Sequence, residues 1–363
     1  MHTKFSNRQF VSFFILIIVL FVLYHVFIWH FLTSKIFNAS PHYIGDLGRM
    51  SYQIDSIVPR IEEVDLPHRH LEVSDWHNES IDLVTIGDSF SNAMGSGKNP
   101  YYQDYLASTL HINILNIQNI DNRLSYIDTI RYLLKNGWLK HVHPKAVLIE
   151  CVTREAFNHL PETNTSISIS ADKLSSALSI TNFTREFPHP MLINMANYKA
   201  PYYYIKYKYS IHAKKEIYKF PLIKNFFSTK DSNHLLIYHD DINSIEKVTE
   251  SSVSLLNAQL NILSSELTKE GITLIFMPAV DKYDLYYNYV SNRKNYPLNP
   301  FFSFLRKEPK QYLFVDTKSI LDSLLEQNIR DVFYADDTHW SYLSSELIAS
   351  DPTFSFLLSK EKY

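Results

Sequence analysis

Glycine is scarce in this chain, seven residues in 363, and the glycine-rich loops that cradle phosphates in nucleoside-triphosphate and dinucleotide enzymes are missing. Kinase and dehydrogenase chemistry lose their usual scaffold. Cysteine is scarcer still: Cys151 stands alone, which excludes an intrachain disulfide and a zinc site built from cysteines. Basic charge is not in surplus either. With 35 Lys and Arg against 38 Asp and Glu the formal net charge is -3, so the chain exerts no global pull on nucleic acid. The histidines are scattered, and His68 with His70, or His141 with His143, offer no metal-ligand spacing. No metal and no cofactor is expected.

What the chain has is apolar and aromatic residues, 45% and 14% of the total, enough to bury a large core. One run stands apart. From Phe10 to Leu32 the sequence FVSFFILIIVLFVLYHVFIWHFL carries no charge, and at about 1.5 Å per residue it spans a hydrocarbon core of about 30 Å. The run ends in Trp29, His30 and Phe31 rather than in a small-residue cleavage site, which suits a retained interfacial anchor. The expected organisation is a cytoplasmic tail at 1–9, a single membrane pass at 10–32, a polar tether and lead-in at 33–78, a folded body at 79–350 and a tail at 351–363. Lys4 and Arg8 before the span are nearly balanced by Lys35 and Arg49 after it, so the outside placement of the body rests mainly on its reading as one soluble unit.

Within the body, short apolar runs at 81–86, 112–117, 146–149, 272–277 and 312–315 alternate with helical patterns at 102–110, 125–134, 245–267 and 320–325. This predicts an α/β fold with a five-stranded parallel sheet wrapped on both faces. The stretch 161–241 breaks the alternation and reads as an insertion. Its run NYKAPYYYIKYKYSIHAKKEIYKF interleaves tyrosine and lysine, a pattern for stacking on sugars, for lying on an anionic bilayer, or for packing tyrosines on the core with lysines in solvent.

The first predicted strand runs directly into Gly87-Asp88-Ser89-Phe90, placing a serine at the carboxyl edge of a parallel sheet, where ligands of open α/β folds bind. A serine hydroxyl needs an adjacent base, normally a histidine oriented by a carboxylate. Asp336-Asp337-Thr338-His339-Trp340, after the last predicted strand, supplies both, and either aspartate suits the histidine. Separately, Gly-Asp-Ser is usually only a turn and Asp-Asp-Thr-His a helix cap. Their placement after the first and last strands is what gives them weight.

These blocks resemble the SGNH/GDSL hydrolase superfamily, and within it the alginate O-acetyltransferase-like branch of cell-envelope polysaccharide acyltransferases. Gly87-Asp88-Ser89-Phe90 is similar to the nucleophile block and Asp337-Thr338-His339-Trp340 to an Asp-x-His-Trp block. Glu150-Cys151-Val152-Thr153-Arg154 resembles a Glu-x-x-x-Arg segment, and Pro278 to Tyr283 a Pro-x-Lys-Tyr stretch containing Lys282 and Tyr283. The resemblance implies a flavodoxin-type sandwich with Ser89 as nucleophile, His339 as base, and Glu150, Arg154, Lys282, Tyr283 and Trp340 around the substrate. The Asp-x-His-Trp spacing selects Asp337, whereas the Asp-x-x-His spacing of the wider superfamily selects Asp336. The glycine and asparagine that usually bind the oxyanion are absent, leaving Asn116, Asn122 or Arg154 to assist the Ser89 N–H. The implied activity is O-acetylation of an envelope or exported polysaccharide through an acyl-serine, in the periplasm at the inner membrane, with a polytopic membrane acyltransferase as acyl donor. An esterase using the same residues and a non-catalytic glycan-binding or assembly protein are the alternatives.

Overall fold

The five apolar runs become strands because each is short, rich in Ile, Val and Leu, and stopped at both ends by polar or turn residues. The computed structural model describes residues 6–37, 44–53, 55, 65–92, 99–163, 168–179, 191–212 and 214–358. Its strands are β1 (Leu71–Glu72), β2 (Leu83–Ile86), β3 (Ile114–Ile117), β4 (Ala146–Val152), β5 (Ile217–Pro221), β6 (His234–Tyr238), β7 (Thr273–Ala279) and β8 (Leu313–Phe314). Six of them form one sheet in the order β1-β3-β2-β4-β7-β8, with every pair parallel. The expectation of five strands is corrected to six. The extra one, β1, has only two residues and lies in the lead-in, too short to show an alternation.

All residues of β2, β3 and β4 are buried, as a parallel sheet with both faces covered requires. The helices Tyr102–Leu110, Thr317–Glu326 and Tyr342–Ala349 pack in one group, while Tyr126–Lys135, Glu250–Thr268 and Phe301–Lys307 pack in another. Helix Glu250–Thr268 shows why such elements form here. A capping box between Thr249 and Ser252 starts it, and Val253, Leu256, Leu260, Leu263 and Leu267 recur at helical spacing on its buried face. Truncating one of these, as in Leu260→Ala, costs about 2 to 5 kcal/mol.

Leaving β1 aside, the chain runs outward from β2 to β3 and then returns across β2 to add β4, β7 and β8. Such a reversal opens a crevice at the carboxyl ends of the strands on either side of it. Ser89 follows β2 and Arg154 follows β4, so the topology brings the two to the same crevice. Between β4 and β7 the chain adds an antiparallel pair, β5 and β6.

The N-terminal helix Asn7–Ile36 is long and apolar enough to cross a membrane, with a mean hydropathy of 2.9 over its most apolar 18 residues. Ser6 and Gln9 cap its start, and a π-helical turn at Trp29–Thr33 interrupts its last part.

The short edge strand β1 is held by charge rather than by length. His70 Nδ1 lies 2.7 Å from Asp104 Oδ1 and its Nε2 lies 2.9 Å from Glu72 Oε1, while Arg69 pairs with Asp104 at 2.7 Å. Burial disfavours the imidazolium, but the two carboxylates outweigh it and raise the His70 pKa to about 9. A histidine raised in the folded state stabilises fully below its unfolded pKa, about 6.5, and loses that contribution as pH rises through the folded value of about 9. Stability in denaturant is therefore expected to fall between these limits, by at most about 3 kcal/mol, and His70→Gln is expected to flatten that slope. Urea melts at several pH values check it.

Candidate active site

The turn after β2 is built by close approach. A Cβ on Gly87 would sit 2.2 Å from Ser91 Oγ and 2.4 Å from Glu150 Oε2, so only glycine fits where the chain passes over Glu150. Asp88 then locks the turn to the end of β4: its Oδ1 accepts from Phe90 N at 3.0 Å and its Oδ2 from Val152 N at 2.7 Å. The Ser89 N–H, between these anchored residues, has no partner among the described residues.

The histidine comes from a loop closed by a bridge between Phe333 and Trp340. His339 Nε2 lies 2.8 Å from Ser89 Oγ, and its Nδ1 lies 2.8 Å from Asp337 Oδ1. Asp337 Oδ1 also accepts from His339 N at 3.0 Å. Asp337 and His339 are buried, whereas Ser89 is partly open. This geometry suits a serine nucleophile with an oriented base: Nδ1–H donates to Asp337, leaving Nε2 to accept the Ser89 proton.

Asp336 is not the orienting carboxylate. Its Oδ2 accepts from Gly45 N at 2.9 Å, and its carbonyl accepts from Gly48 N at 2.8 Å. A Cβ on Gly45 would lie 2.0 Å from that carbonyl oxygen, so the lead-in approaches the loop as closely as backbone can. Asp46 completes the clamp, accepting from Thr338 N at 2.8 Å and from Thr338 Oγ1 at 2.5 Å. Burial and the neighbouring charge of Asp337 push the Asp46 carboxyl above its usual range.

Lys282 anchors the loop from inside. Its Nζ donates to the carbonyls of Tyr334, Ala335 and Asp337 at 2.7, 3.0 and 3.0 Å. The side chain is fully buried, which pulls its pKa down to about 8. With all three donors used inside the protein, Lys282 does not meet substrate as the sequence suggested. It positions the loop that carries His339.

A cavity of about 510 Å³ opens over Ser89 and His339, lined also by Asp46, Met50, Asp88, Val152, Arg154, Glu155, His159, Tyr238 and Thr338. Several residues expected there are elsewhere. Asn116 is fully buried, accepting from Thr85 Oγ1 at 3.0 Å and donating to Ser91 O at 3.2 Å. Asn122 is exposed and outside the cavity. Glu150 lies beneath the turn, where Oε2 accepts from Ser91 Oγ at 2.8 Å and Asp88 N at 3.2 Å. Burial and the nearby Asp88 charge push its carboxyl well up, towards the neutral form. Tyr283 donates to Pro297 O at 2.7 Å, and Trp340 packs edge-on to Phe90 with ring centroids 4.5 Å apart. Neither lines the cavity.

Of the three oxyanion candidates only Arg154 lines the cavity, and it is the sole permanent cation among the described lining residues. It pairs with Asp241 Oδ1 at 3.1 Å rather than with Glu150. The sequence reading missed Asp46, Met50, Glu155, His159 and Tyr238. A signal existed for Glu155 and His159, which lie just beyond Arg154 in the chain. Asp46 and Tyr238 come from the lead-in and the insertion, and no local pattern marks them.

Among the described residues two clusters place metal-ligating atoms together: Asp88 with Cys151 and His159, and Asp46 with Asp337 and His339. Neither donor set suits a cation. Both Asp88 oxygens accept backbone N–H bonds and burial keeps Cys151 in the thiol form, whereas a metal takes the thiolate. Both His339 nitrogens face Asp337 and Ser89.

Two substitutions separate the aspartates. Asp337→Asn is expected to lower kcat for an activated ester by up to about 10⁴-fold, as loss of an orienting carboxylate does. Asp336→Asn keeps an acceptor for Gly45 N and is expected to stay within about tenfold of the parent. Lys282→Met removes the buried donor shared by three carbonyls, at about 1 to 3 kcal/mol for each one left without another donor; Tyr334 O keeps the Asp337 N–H at 3.3 Å. The substitution should lower the melting temperature and reduce kcat more than it raises KM, as steady-state kinetics and thermal melts will show.

No protein-family model matches the chain, and no curated protein matches it. Among solved structures it is similar to a crystal structure described as a GDSL-like lipase from Parabacteroides merdae. The match has 11% identity and a TM-score of 0.37, over 77% of this chain and 96% of that one. A likeness at that score carries no weight in the reading of the site, which rests on the chain's own geometry.

Proposed function

We propose that the chain is a membrane-anchored serine acyltransferase of the SGNH type that acetylates hydroxyls of an envelope or exported polysaccharide. The observation that carries this reading is the unbroken line of contacts from Ser89 Oγ to His339 Nε2, and from His339 Nδ1 to Asp337, each 2.8 Å long. It ends in an open cavity whose surface is mainly apolar, with the polar groups of Asp46, Arg154, Glu155, His159 and Thr338 set into it.

In the proposed mechanism His339 Nε2 removes the Ser89 proton as Oγ attacks the acyl carbonyl. Asp337 holds the imidazole and stabilises its charged form. The Ser89 N–H and the Arg154 guanidinium receive the oxyanion, where one donor is typically worth about 3 to 4 kcal/mol. Collapse returns the proton from His339 to the leaving group and leaves an acyl-Ser89 ester. A sugar hydroxyl then gives its proton to His339 and attacks that ester, releasing Ser89 and the acetylated sugar.

The lining supports a short acyl group and a polyhydroxyl acceptor. Asp46, Glu155, His159 and Thr338 offer hydrogen bonds to a sugar and Tyr238 an aromatic face, while Met50 and Val152 give apolar surface for the acyl methyl. In this reading helix Asn7–Ile36 is a single-pass inner-membrane anchor with the body in the periplasm. A polytopic membrane acyltransferase supplies the acyl group, since acetyl-CoA is not free there.

The test is to give the full chain in detergent an activated acetyl ester together with envelope glycan fragments, and to identify the products. Acetylated glycan formed faster than free acetate, and lost in Ser89→Ala, is the expected result. Acetate alone, with or without glycan, would make the chain an esterase. No turnover by folded protein would favour a glycan-binding or assembly role.

A further inference from the structure

The insertion carries a helix, Ala196–Lys206, whose two sides face different surroundings. Asn197 and Ala200 are fully buried on one side. On the other, Tyr198, Tyr202 and Ile205 follow one another at spacings of four and three, continuing the exposed Met195 before the helix and Tyr209 after it. Helical spacing puts the three on one face. They are 42%, 56% and 57% exposed, with Met195 at 66% and Tyr209 at 86%, a stripe too long to be a scatter of single surface residues. Charge is equally one-sided: from Met191 to Lys215 there are five lysines and no acidic residue. Lys206 lies over the Tyr202 ring at 5.6 Å and Lys208 over the Tyr204 ring at 4.7 Å.

The buried side is joined to the N-terminal helix inside its apolar run. Tyr24 Oη donates to Asn197 O at 2.8 Å, Asn197 Nδ2 donates to His25 Nδ1 at 2.7 Å, and Thr33 Oγ1 donates to Asn197 Oδ1 at 2.6 Å. At the border of the two sides Tyr198, which begins the stripe, also reaches the N-terminal helix, its Oη 2.9 Å from His25 Nε2. His25 precedes the end of the apolar run at Leu32 by about 10 Å of helix rise. Amphipathic helices lie about 5 to 10 Å deep at the boundary of headgroups and acyl chains.

We infer that helix Ala196–Lys206 with its flanks is a second membrane contact, its Met, Tyr and Ile stripe set into the headgroup region of an anionic bilayer. The inference rests on the proposed reading of Asn7–Ile36 as a membrane span. If that helix crosses the bilayer, its bonds to Asn197 and Tyr198 fix the second helix at the height of the interface. The stripe supplies apolar area and aromatic rings suited to that layer, and the lysines meet anionic headgroups. The second contact also sets the orientation of the body. Tyr207, the residue that ends the helix, donates to Ile217 O of β5 at 3.0 Å, and β5 pairs with β6, whose Tyr238 lines the cavity over Ser89. Two membrane contacts thus hold the cavity at a set height and tilt, which suits a donor embedded in the same membrane.

The test uses the full chain in vesicles of phosphatidylcholine mixed with phosphatidylglycerol. A bimane fluorophore is attached at Tyr202→Cys or, separately, at Ile17→Cys; the native Cys151 is buried and stays unlabelled. Bimane at position 202 is expected to lose most of its emission to lipids carrying a nitroxide near the headgroup and to resist quenching by aqueous iodide. The quenching should weaken in pure phosphatidylcholine and in the triple variant Lys199→Gln, Lys206→Gln, Lys208→Gln. Lipid quenching at position 17 but not at 202 overturns the second contact and leaves the span standing. No lipid quenching at either position overturns both. Shielding of 202 by added polysaccharide, without quenching by lipid, assigns the stripe to a glycan and overturns the membrane contact.

Discussion

A lysine ammonium that forms no direct ion pair among the described residues sits in the interior of this protein, and the geometry over Ser89 depends on it. Lys282 Nζ gathers the carbonyls of Tyr334, Ala335 and Asp337, three groups that a tight loop turns into a buried space. Taking the charge from water costs several kcal/mol, and burial pulls the lysine down to about 8. What offsets the cost is the loop itself. With its backbone tied from within and its ends joined by the Phe333–Trp340 bridge, Asp337 and His339 have little freedom, and the imidazole meets Ser89 without a further ordering step.

The loop is gripped from outside as well, by a segment that reads as a tether. Gly45, Asp46 and Gly48 bond to Asp336 and Thr338, so the chain just beyond the proposed membrane span is part of the scaffold that aims the histidine. Two carboxylates near the site follow from this arrangement. Asp337 orients His339, while Asp46 holds Thr338 and is pushed up by burial and by Asp337. They lie within reach of one another, yet the backbone and hydroxyl donors of Thr338 fall to Asp46 and the imidazole to Asp337.

How much of this was legible follows from the range of the interactions. The five runs that became β2, β3, β4, β7 and β8 were readable because a buried parallel strand is a local pattern of apolar residues. Ser89 was readable because it directly follows the first of those strands, and His339 because an Asp-Thr-His-Trp block stands beyond the last of them. The edge strand β1 was not, since two residues carry no period and its support comes from His70 and Asp104, 34 positions apart. Asn116 was chosen for lying at the end of a strand, yet its side chain enters a buried network with Thr85 and Gln103. Glu150 and Arg154 look like an ion pair on one strand end, but the partner of Arg154 is Asp241, 87 residues away. Neither choice of acid, Asp336 or Asp337, was decidable until Gly45 was seen to occupy Asp336 from nearly 300 positions upstream.

The proposed chemistry requires Ser89 to be a nucleophile activated by His339. A fluorophosphonate tests it most directly, since attack by an activated serine expels fluoride and leaves a stable phosphonyl ester. Treatment of the folded full chain followed by peptide mass mapping should give one adduct, on Ser89, absent in His339→Ala. A folded chain that stays unmodified, or one modified at another serine while Ser89 remains free, would contradict the claim.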